Sequence, residues 1–225
     1  MKNSKVKDRY NTYFKFFVFS ILFLLLSVNA AAQGQVYFHE FNSSAYSYPY
    51  TDPPTVSSTY MSDSSWTTTN GVFLPLAGSS GNALSINNSA NSTITLSFSV
   101  ENDYMLTITA FSFWRQRNAL GAVNWSMEVN GVPAGSGDIP TVGSNTGQIN
   151  TNISGLTGDV TIVLFLSGGG SGTFRLDDFE LVGTIVSTCI PPEVTSFFPS
   201  TGPIGTIVEI SGSGFQNGIG TSSVT

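Results

Sequence analysis

Lysine, histidine and cysteine are scarce in this chain of 225 residues, and their scarcity excludes several kinds of site. One histidine, His39, and one cysteine, Cys189, cannot supply the three or four nitrogen and sulfur ligands of a zinc site. A Ser-His-Asp triad would need His39 as its base, and the chain has no nucleophile elbow. Catalytic carboxylate pairs are defined by their separation in space, and no pair stands out in the sequence. We therefore predict a non-catalytic protein.

The first 32 residues have the layout of a cleaved signal peptide. A basic segment precedes the apolar run 16–28, and Ala30-Ala31-Ala32 supplies small residues for cleavage before Gln33. The alternative is an uncleaved membrane anchor, but the run is short for a span that needs roughly twenty residues. We expect a secreted or cell-surface protein with no membrane insertion after cleavage. The basic residues of the leader are Lys2, Lys5, Lys7, Arg9 and Lys15.

Positive charge almost disappears once the leader is removed. From Gln33 onward thirteen acidic residues face three arginines, which gives a net charge of −10. Such a chain cannot form the basic surface that a phosphate backbone requires, so nucleic-acid binding is not expected. Acidic side chains suit hard cations such as calcium. The single cysteine excludes an internal disulfide, so the fold must depend on its apolar core or on a metal.

Apolar residues alternate with polar ones along most of the chain, and no helical pattern follows the leader. In 93–100 every even position is apolar and every odd one is Ser or Thr, which is typical of a strand with one buried face. Similar stripes occupy 123–129 and 160–166, and Asn130-Gly131 predicts a type I′ hairpin turn. With less regular segments these make nine short strands, which predicts a two-sheet sandwich or jelly roll. The less regular segments are 35–41, 72–76, 82–86, 104–114, 148–153 and 172–183.

Two resemblances divide the chain into domains. Residues 33–184 resemble the jelly-roll, carbohydrate-binding-module-like domains of secreted Bacteroidetes proteins, with Asn124-Trp125 entering a strand and FRLDDF at 174–179 in the last one. Residues 185–191 form a linker. Residues 192–225 resemble the start of an IPT/TIG domain, which has an immunoglobulin-like fold, and the second half of that family pattern is absent. The matching positions are Pro192, Val194, Phe198-Pro199, Gly202-Pro203, Gly205-Thr206, Val208-Glu209-Ile210, Gly212 and Gly214-Phe215.

The acidic pair Asp177-Asp178 marks an irregularity in the last strand. Phe174 and Leu176 are even-numbered, whereas the later apolar positions are odd, and one extra residue at the aspartates would produce such a switch. We therefore predict a β-bulge there. The resemblance to carbohydrate-binding modules implies that Asp177 and Asp178 join Glu40 and Asn42 at a structural calcium ion. The alternative is a pair of solvated aspartates beside a turn, with Arg175 as a neighbour.

Aromatic residues near chain loops are the candidates for binding sugar rings. Trp114 ends a strand beside Arg115 and Arg117, and Tyr48 and Trp66 lie in a long polar stretch between strands. The alternative is that these rings simply pack, as we expect for Trp125. The resulting hypothesis is an extracellular, non-catalytic glycan-binding module within a larger protein. The alternatives are a structural or adhesive spacer without a small-molecule ligand, and an appendage of a catalytic domain beyond the end of this sequence.

Overall fold

In this computed structural model, residues 33–189 and 192–213 are described. The predicted signal peptide lies outside these ranges. The described chain is built from strands, and none of its segments is a helix long and apolar enough to cross a bilayer. The all-β prediction is therefore confirmed. The strands are β1 (Gly34–His39), β2 (Val56–Ser57), β3 (Met61–Thr68), β4 (Leu74–Ala77), β5 (Asn82–Ile86), β6 (Thr93–Val100), β7 (Tyr104–Arg117), β8 (Asn124–Val129), β9 (Val132–Asp138), β10 (Ser144–Asn145), β11 (Ile149–Leu156), β12 (Gly158–Ser167), β13 (Phe174–Ser187), β14 (Glu193–Phe198) and β15 (Glu209–Ser213).

Two antiparallel sheets form the sandwich. The larger sheet has eight strands and contains the series β10-β7-β13-β1-β2, with β11 also paired to β7 and the β4-β5 hairpin added to β13. The smaller sheet has five strands in the order β3-β6-β12-β8-β9. Strands β2 and β3 are thus edge strands of the two sheets. The chain crosses repeatedly from one sheet to the other, as between β6 and β7 and between β11 and β12, which agrees with the predicted jelly-roll sandwich.

Alternation of side chains explains how the two sheets share one core. Along Thr93–Val100 every apolar residue is buried and every Ser or Thr is half-buried, so β6 turns one face inward as predicted. Aromatic rings fill the centre, where Phe113 meets Trp125 at 4.9 Å between ring centroids and Phe179 meets Trp66 at 5.1 Å. Both contacts are edge-to-face, the geometry that aromatic pairs favour.

One predicted turn and one predicted β-bulge are confirmed. Asn130 and Gly131 have φ values of 47° and 78° and join β8 to β9, as a type I′ hairpin requires. Pairing of β13 with β7 shifts register between Asp177 and Glu180, and Asp178 has a φ of 48°. The β-bulge predicted at the two aspartates is therefore present.

The long polar stretch that holds Tyr48 and Trp66, which we expected to connect strands, contains the strands β2 and β3. In β3 the register against β6 shifts between Ser62 and Ser65, and Asp63 lies in the left-handed region with a φ of 56°. This bulge breaks the alternation, so Met61, Trp66 and Thr68 all turn inward without a simple period of two. A strand rich in serine with an interrupted period gives little sequence signal.

The chain after the sandwich forms a separate small unit. Strand β13 continues to Ser187, which pairs with Tyr104, and so passes the boundary predicted at residue 184. Strands β14 and β15 then pair antiparallel as a two-stranded sheet whose residues are all exposed. The resemblance to an IPT/TIG domain stays a prediction.

Candidate functional site

Asp177 is a buried carboxylate that accepts hydrogen bonds from the backbone. Its side chain is inaccessible to solvent. One oxygen, Oδ2, accepts the Ser79 N–H at 2.8 Å, and Oδ1 accepts the Asp178 N–H at 2.9 Å and the Phe41 N–H at 3.5 Å. Burial raises the pKa of this carboxyl above its ordinary value, while the N–H donors act in the opposite direction. Any Cβ at Gly78 would overlap Oδ2, so the backbone there passes directly over the carboxylate.

The other three residues implied as calcium ligands do not complete a metal site with Asp177. Glu40 is exposed, and its carboxylate accepts a hydrogen bond from the Asn42 amide nitrogen at 3.3 Å. Across the described residues, no three His, Cys, Asp or Glu side chains are grouped so as to hold a metal ion. Calcium takes six to eight oxygen ligands, whereas the Asp177 oxygens already serve N–H donors. These residues do not fit the implied calcium site.

The two arginines of β7 bind the backbone of neighbouring loops. Arg115 is buried; its Nε donates to the Asp138 carbonyl at 2.9 Å and its guanidinium to the Ser144 carbonyl at 3.1 Å. Arg117 donates through Nε to the Ile139 carbonyl at 2.8 Å. Both side chains therefore hold the 138–144 segment against the sheet. These bonds of both arginines go to backbone carbonyls of neighbouring loops, whereas we expected these side chains at a ligand site.

The aromatic candidates are dispersed over the sandwich. Trp66 is 2% exposed, and its indole N–H donates to the Tyr37 hydroxyl at 3.2 Å in the core. Its predicted role in stacking on sugar is wrong because no face of the ring is accessible. Trp114 is half-buried with Gly143 lying against its ring. Tyr48 is 45% exposed, and its hydroxyl donates to the Thr68 carbonyl at 2.8 Å. No common surface brings the three together.

A groove at the edge of the sandwich, between β2 and β3, gathers the polar groups that a ligand could contact. Its volume is about 480 Å³, within the range of small-molecule sites. Six side chains with a hydroxyl group and one carboxylate line it, together with two prolines and two buried apolar side chains. The lining residues are Tyr37, Thr51, Pro53, Pro54, Ser57, Met61, Ser62, Asp63, Ser64, Ser65 and Phe98. We refer to this set as the edge groove.

The bulge in β3 shapes one wall of the edge groove. A positive φ is uncommon for a residue other than glycine and marks a position held by its surroundings. Asp63 adopts it at 56°, and the Ser62 hydroxyl donates to its carboxylate at 3.3 Å. At the base, Tyr37 bonds Ser64 and Trp66, and burial raises the pKa of its phenol to about 12. Tyr37 is therefore protonated at neutral pH and can exchange hydrogen bonds as a neutral hydroxyl.

His39 fixes the loop that carries the other wall. Its Nε2 lies 3.1 Å from the Asp52 carbonyl and its Nδ1 3.0 Å from the Glu40 carbonyl, while the ring stacks on Phe41 at 4.3 Å. A neutral imidazole has one N–H, so it donates to one of these carbonyls at a time. Burial lowers the pKa of His39. The imidazole is enclosed by its own strand and loop, so it is not placed to act on a substrate.

The edge groove could not be predicted from the sequence because its parts are far apart in the chain. The segments 51–57 and 61–65 meet side chains from β1 and β6 only after the sheets have packed. The usable signals were Pro53-Pro54, which stiffens a loop, and the run Ser62-Asp63-Ser64-Ser65 before a buried tryptophan. Neither signal alone distinguishes a site from an ordinary polar loop.

Comparisons with known proteins give distant structural likenesses. No protein-family model matches the chain, and no curated protein matches it. A family 61 carbohydrate-binding module, TmCBM61, in complex with β-1,4-galactotriose is similar at 16% identity and a TM-score of 0.38, over 56% of this chain and 89% of that one. The CBM22-1 xylan-binding domain of Paenibacillus barcinonensis Xyn10C gives 12% identity and a TM-score of 0.42, over 69% and 97%. A family 36 module in complex with calcium and xylotriose gives 23% identity and a TM-score of 0.34, over 49% and 87%. The likeness is limited to the fold.

Proposed function

We propose that the sandwich is a non-catalytic module that binds a glycan in the edge groove, as part of a larger secreted or cell-surface protein. The observation that carries the proposal is the chemistry of the groove lining, in which hydroxyl groups and one carboxylate surround a space of about 480 Å³. A hydroxyl both donates and accepts, and a carboxylate accepts, so this lining can pair with the closely spaced hydroxyls of a sugar. The two prolines of the lining suit the C–H surface of a sugar ring.

The titratable groups that line the groove favour ligand binding without catalysis. Asp63 is the carboxylate of its lining and Tyr37 is a phenol with a raised pKa. Hydrolysis of a glycoside by the usual route needs two carboxyl groups across the scissile bond. Calcium is left out of this proposal because the implied ligands do not fit it.

The experiment is a binding screen of neutral oligosaccharides by glycan array and calorimetry, using the purified chain and two bulky variants. Ser57→Trp places an indole in the edge groove from the exposed strand β2. Ser126→Trp is the matched control, since Ser126 is exposed on β8 in the smaller sheet and does not line the groove. We expect binding to be lost in Ser57→Trp and kept in Ser126→Trp. Equal affinity in both variants would contradict the assignment of the site.

A structural spacer is the second candidate, and one observation favours it. The aromatic rings at the groove base, Tyr37 and Phe98, are buried, so neither offers an open face for stacking on sugar. A screen without any bound glycan, together with normal folding of the chain, would favour the spacer.

A further inference from the structure

Each of the three arginines of the described chain donates at least one hydrogen bond to a backbone carbonyl. Arg115 and Arg117 donate to the carbonyls of the 138–144 segment, as described above. Arg175 donates to the Ala77 carbonyl at 3.0 Å and to the Gln116 amide oxygen at 3.3 Å. None of them lines the edge groove, and no lysine follows residue 15. A ligand in the groove would therefore meet no free cationic side chain.

The edge groove carries a negative charge instead. Asp63 projects from the β3 bulge, and the chain from Gln33 onward has a net charge of −10. Recognition of carboxylate, sulfate or phosphate groups relies on arginine, lysine or a cluster of N–H donors. An acidic sugar would lose water from its charged group in the groove without gaining a cationic partner, and it would also face a like charge.

We propose that the edge groove selects uncharged sugars and rejects acidic ones, with Asp63 as the discriminating residue. This inference rests on the proposed glycan-binding function. The Asp63 carboxylate accepts hydrogen bonds from sugar hydroxyls and repels uronate, sulfated and sialylated residues. Like charges placed across an interface disfavour the wrong partner, so we expect at least a tenfold difference in affinity, about 1.4 kcal/mol.

The test compares neutral oligosaccharides with their own oxidised forms. Cello-, manno- and galacto-oligosaccharides are titrated into the full chain before and after oxidation of their primary hydroxyls to carboxylates, at low ionic strength. Oxidised forms should bind at least tenfold more weakly. Asp63→Asn should bring the two affinities to within about threefold, because the amide keeps the volume and an acceptor while removing the like charge. Asp159→Asn is the matched control.

The control separates the charge of the groove from the charge of the whole chain. Asp159 is exposed on β12, accepts the Ser99 hydroxyl at 2.6 Å and lies outside the groove. Asp159→Asn removes one charge yet should keep the tenfold preference for neutral over oxidised sugars. If Asp159→Asn narrowed the affinity difference between neutral and oxidised sugars as much as Asp63→Asn does, the role of Asp63 would be overturned. Oxidised sugars that bind as well as neutral ones would overturn the selectivity and leave glycan binding intact. Absence of binding by both sets would overturn glycan binding and this inference together.

Discussion

Replacing the buried carboxylate of Asp177 tests whether it serves the fold or a metal. Asp177→Asn keeps one oxygen and turns the other into an NH2 group, so whichever way the amide faces, one N–H donor meets another. The strong bonds are those from Ser79 at 2.8 Å and Asp178 at 2.9 Å, since Phe41 at 3.5 Å is at the limit of hydrogen bonding. Losing one charge-assisted bond in a buried site costs about 1.5–3 kcal/mol.

The expected effect of Asp177→Asn is a lower melting temperature. For a domain of this size each kcal/mol corresponds to roughly 2–4 °C, so the midpoint should fall by roughly 3–12 °C. Asp178→Asn is the matched control, because Asp178 is half-buried with a φ of 48° that Asn tolerates well, and its effect should stay within about 0.5 kcal/mol. Calorimetric melting of both variants, with calcium and with EDTA, measures the difference.

The calcium arm of that experiment discriminates between the two roles of Asp177. If Asp177 acts only as a structural hydrogen-bond acceptor, Asp177→Asn should lower the melting temperature by the same amount in calcium and in EDTA. Any ion that binds only the folded state would stabilise it by about 2.7 kcal/mol at a hundredfold excess over its dissociation constant. A calcium-dependent rise in the parent chain that vanishes in Asp177→Asn would refute our account of Asp177. Equal melting of Asp177→Asn and Asp178→Asn would refute the importance of its N–H bonds.

Two further predictions concern His39 and Arg115. Because burial lowers the pKa of His39, the unfolded chain takes up a proton first as the pH falls below 6.5, so the free energy of unfolding should decrease there. Urea titrations between pH 7 and 5 should show this decrease. In His39→Gln the free energy of unfolding should change less with pH over this range. The same pH dependence in the variant and the parent chain would contradict the assignment of this effect to His39. Arg115→Ala should cost about 2–3 kcal/mol and speed amide hydrogen exchange in the 138–144 segment, because two carbonyls lose their charged donor. Exchange that stays at the parent rate would contradict that role.

Local pattern was sufficient to predict those parts of the fold that depend on neighbours in sequence. Alternation identified β6, because a half-buried strand repeats every two residues, and Asn130-Gly131 identified a turn that needs two positive φ values. The parity switch at Asp177 located a bulge, since one inserted residue exchanges the two faces of a strand. In each case the physical constraint acts within a few residues.

Side-chain roles that depend on tertiary partners could not be predicted in this way. Trp66 was a candidate for binding sugar because it lies in a long polar stretch, yet it is buried in the core on the bulged strand β3. Arg115 was expected at a ligand site because it follows Trp114 at the end of a predicted strand, whereas its partners are carbonyls in the 138–144 segment, beyond the β8-β9 hairpin in the chain. The edge groove forms from four separate segments. Such contacts arise when the sheets pack together, so they cannot be predicted from a short stretch of sequence.

Asp177 and Trp66, which we expected to bind ligands, instead help to fix the loop beside the edge groove, together with His39 and Tyr50. Asp177 accepts the Phe41 N–H at the start of the 41–54 segment, and His39 contacts the Asp52 carbonyl near its end. Between them Tyr50 exchanges backbone hydrogen bonds with Trp66, at 3.0 Å and 2.8 Å. The 41–54 segment, which includes the groove wall at 51–54, is therefore bonded to β1, β3 and β13 before any ligand arrives. Because a loop that is already ordered loses little conformational entropy on binding, this loop can favour association without contacting the ligand through these side chains.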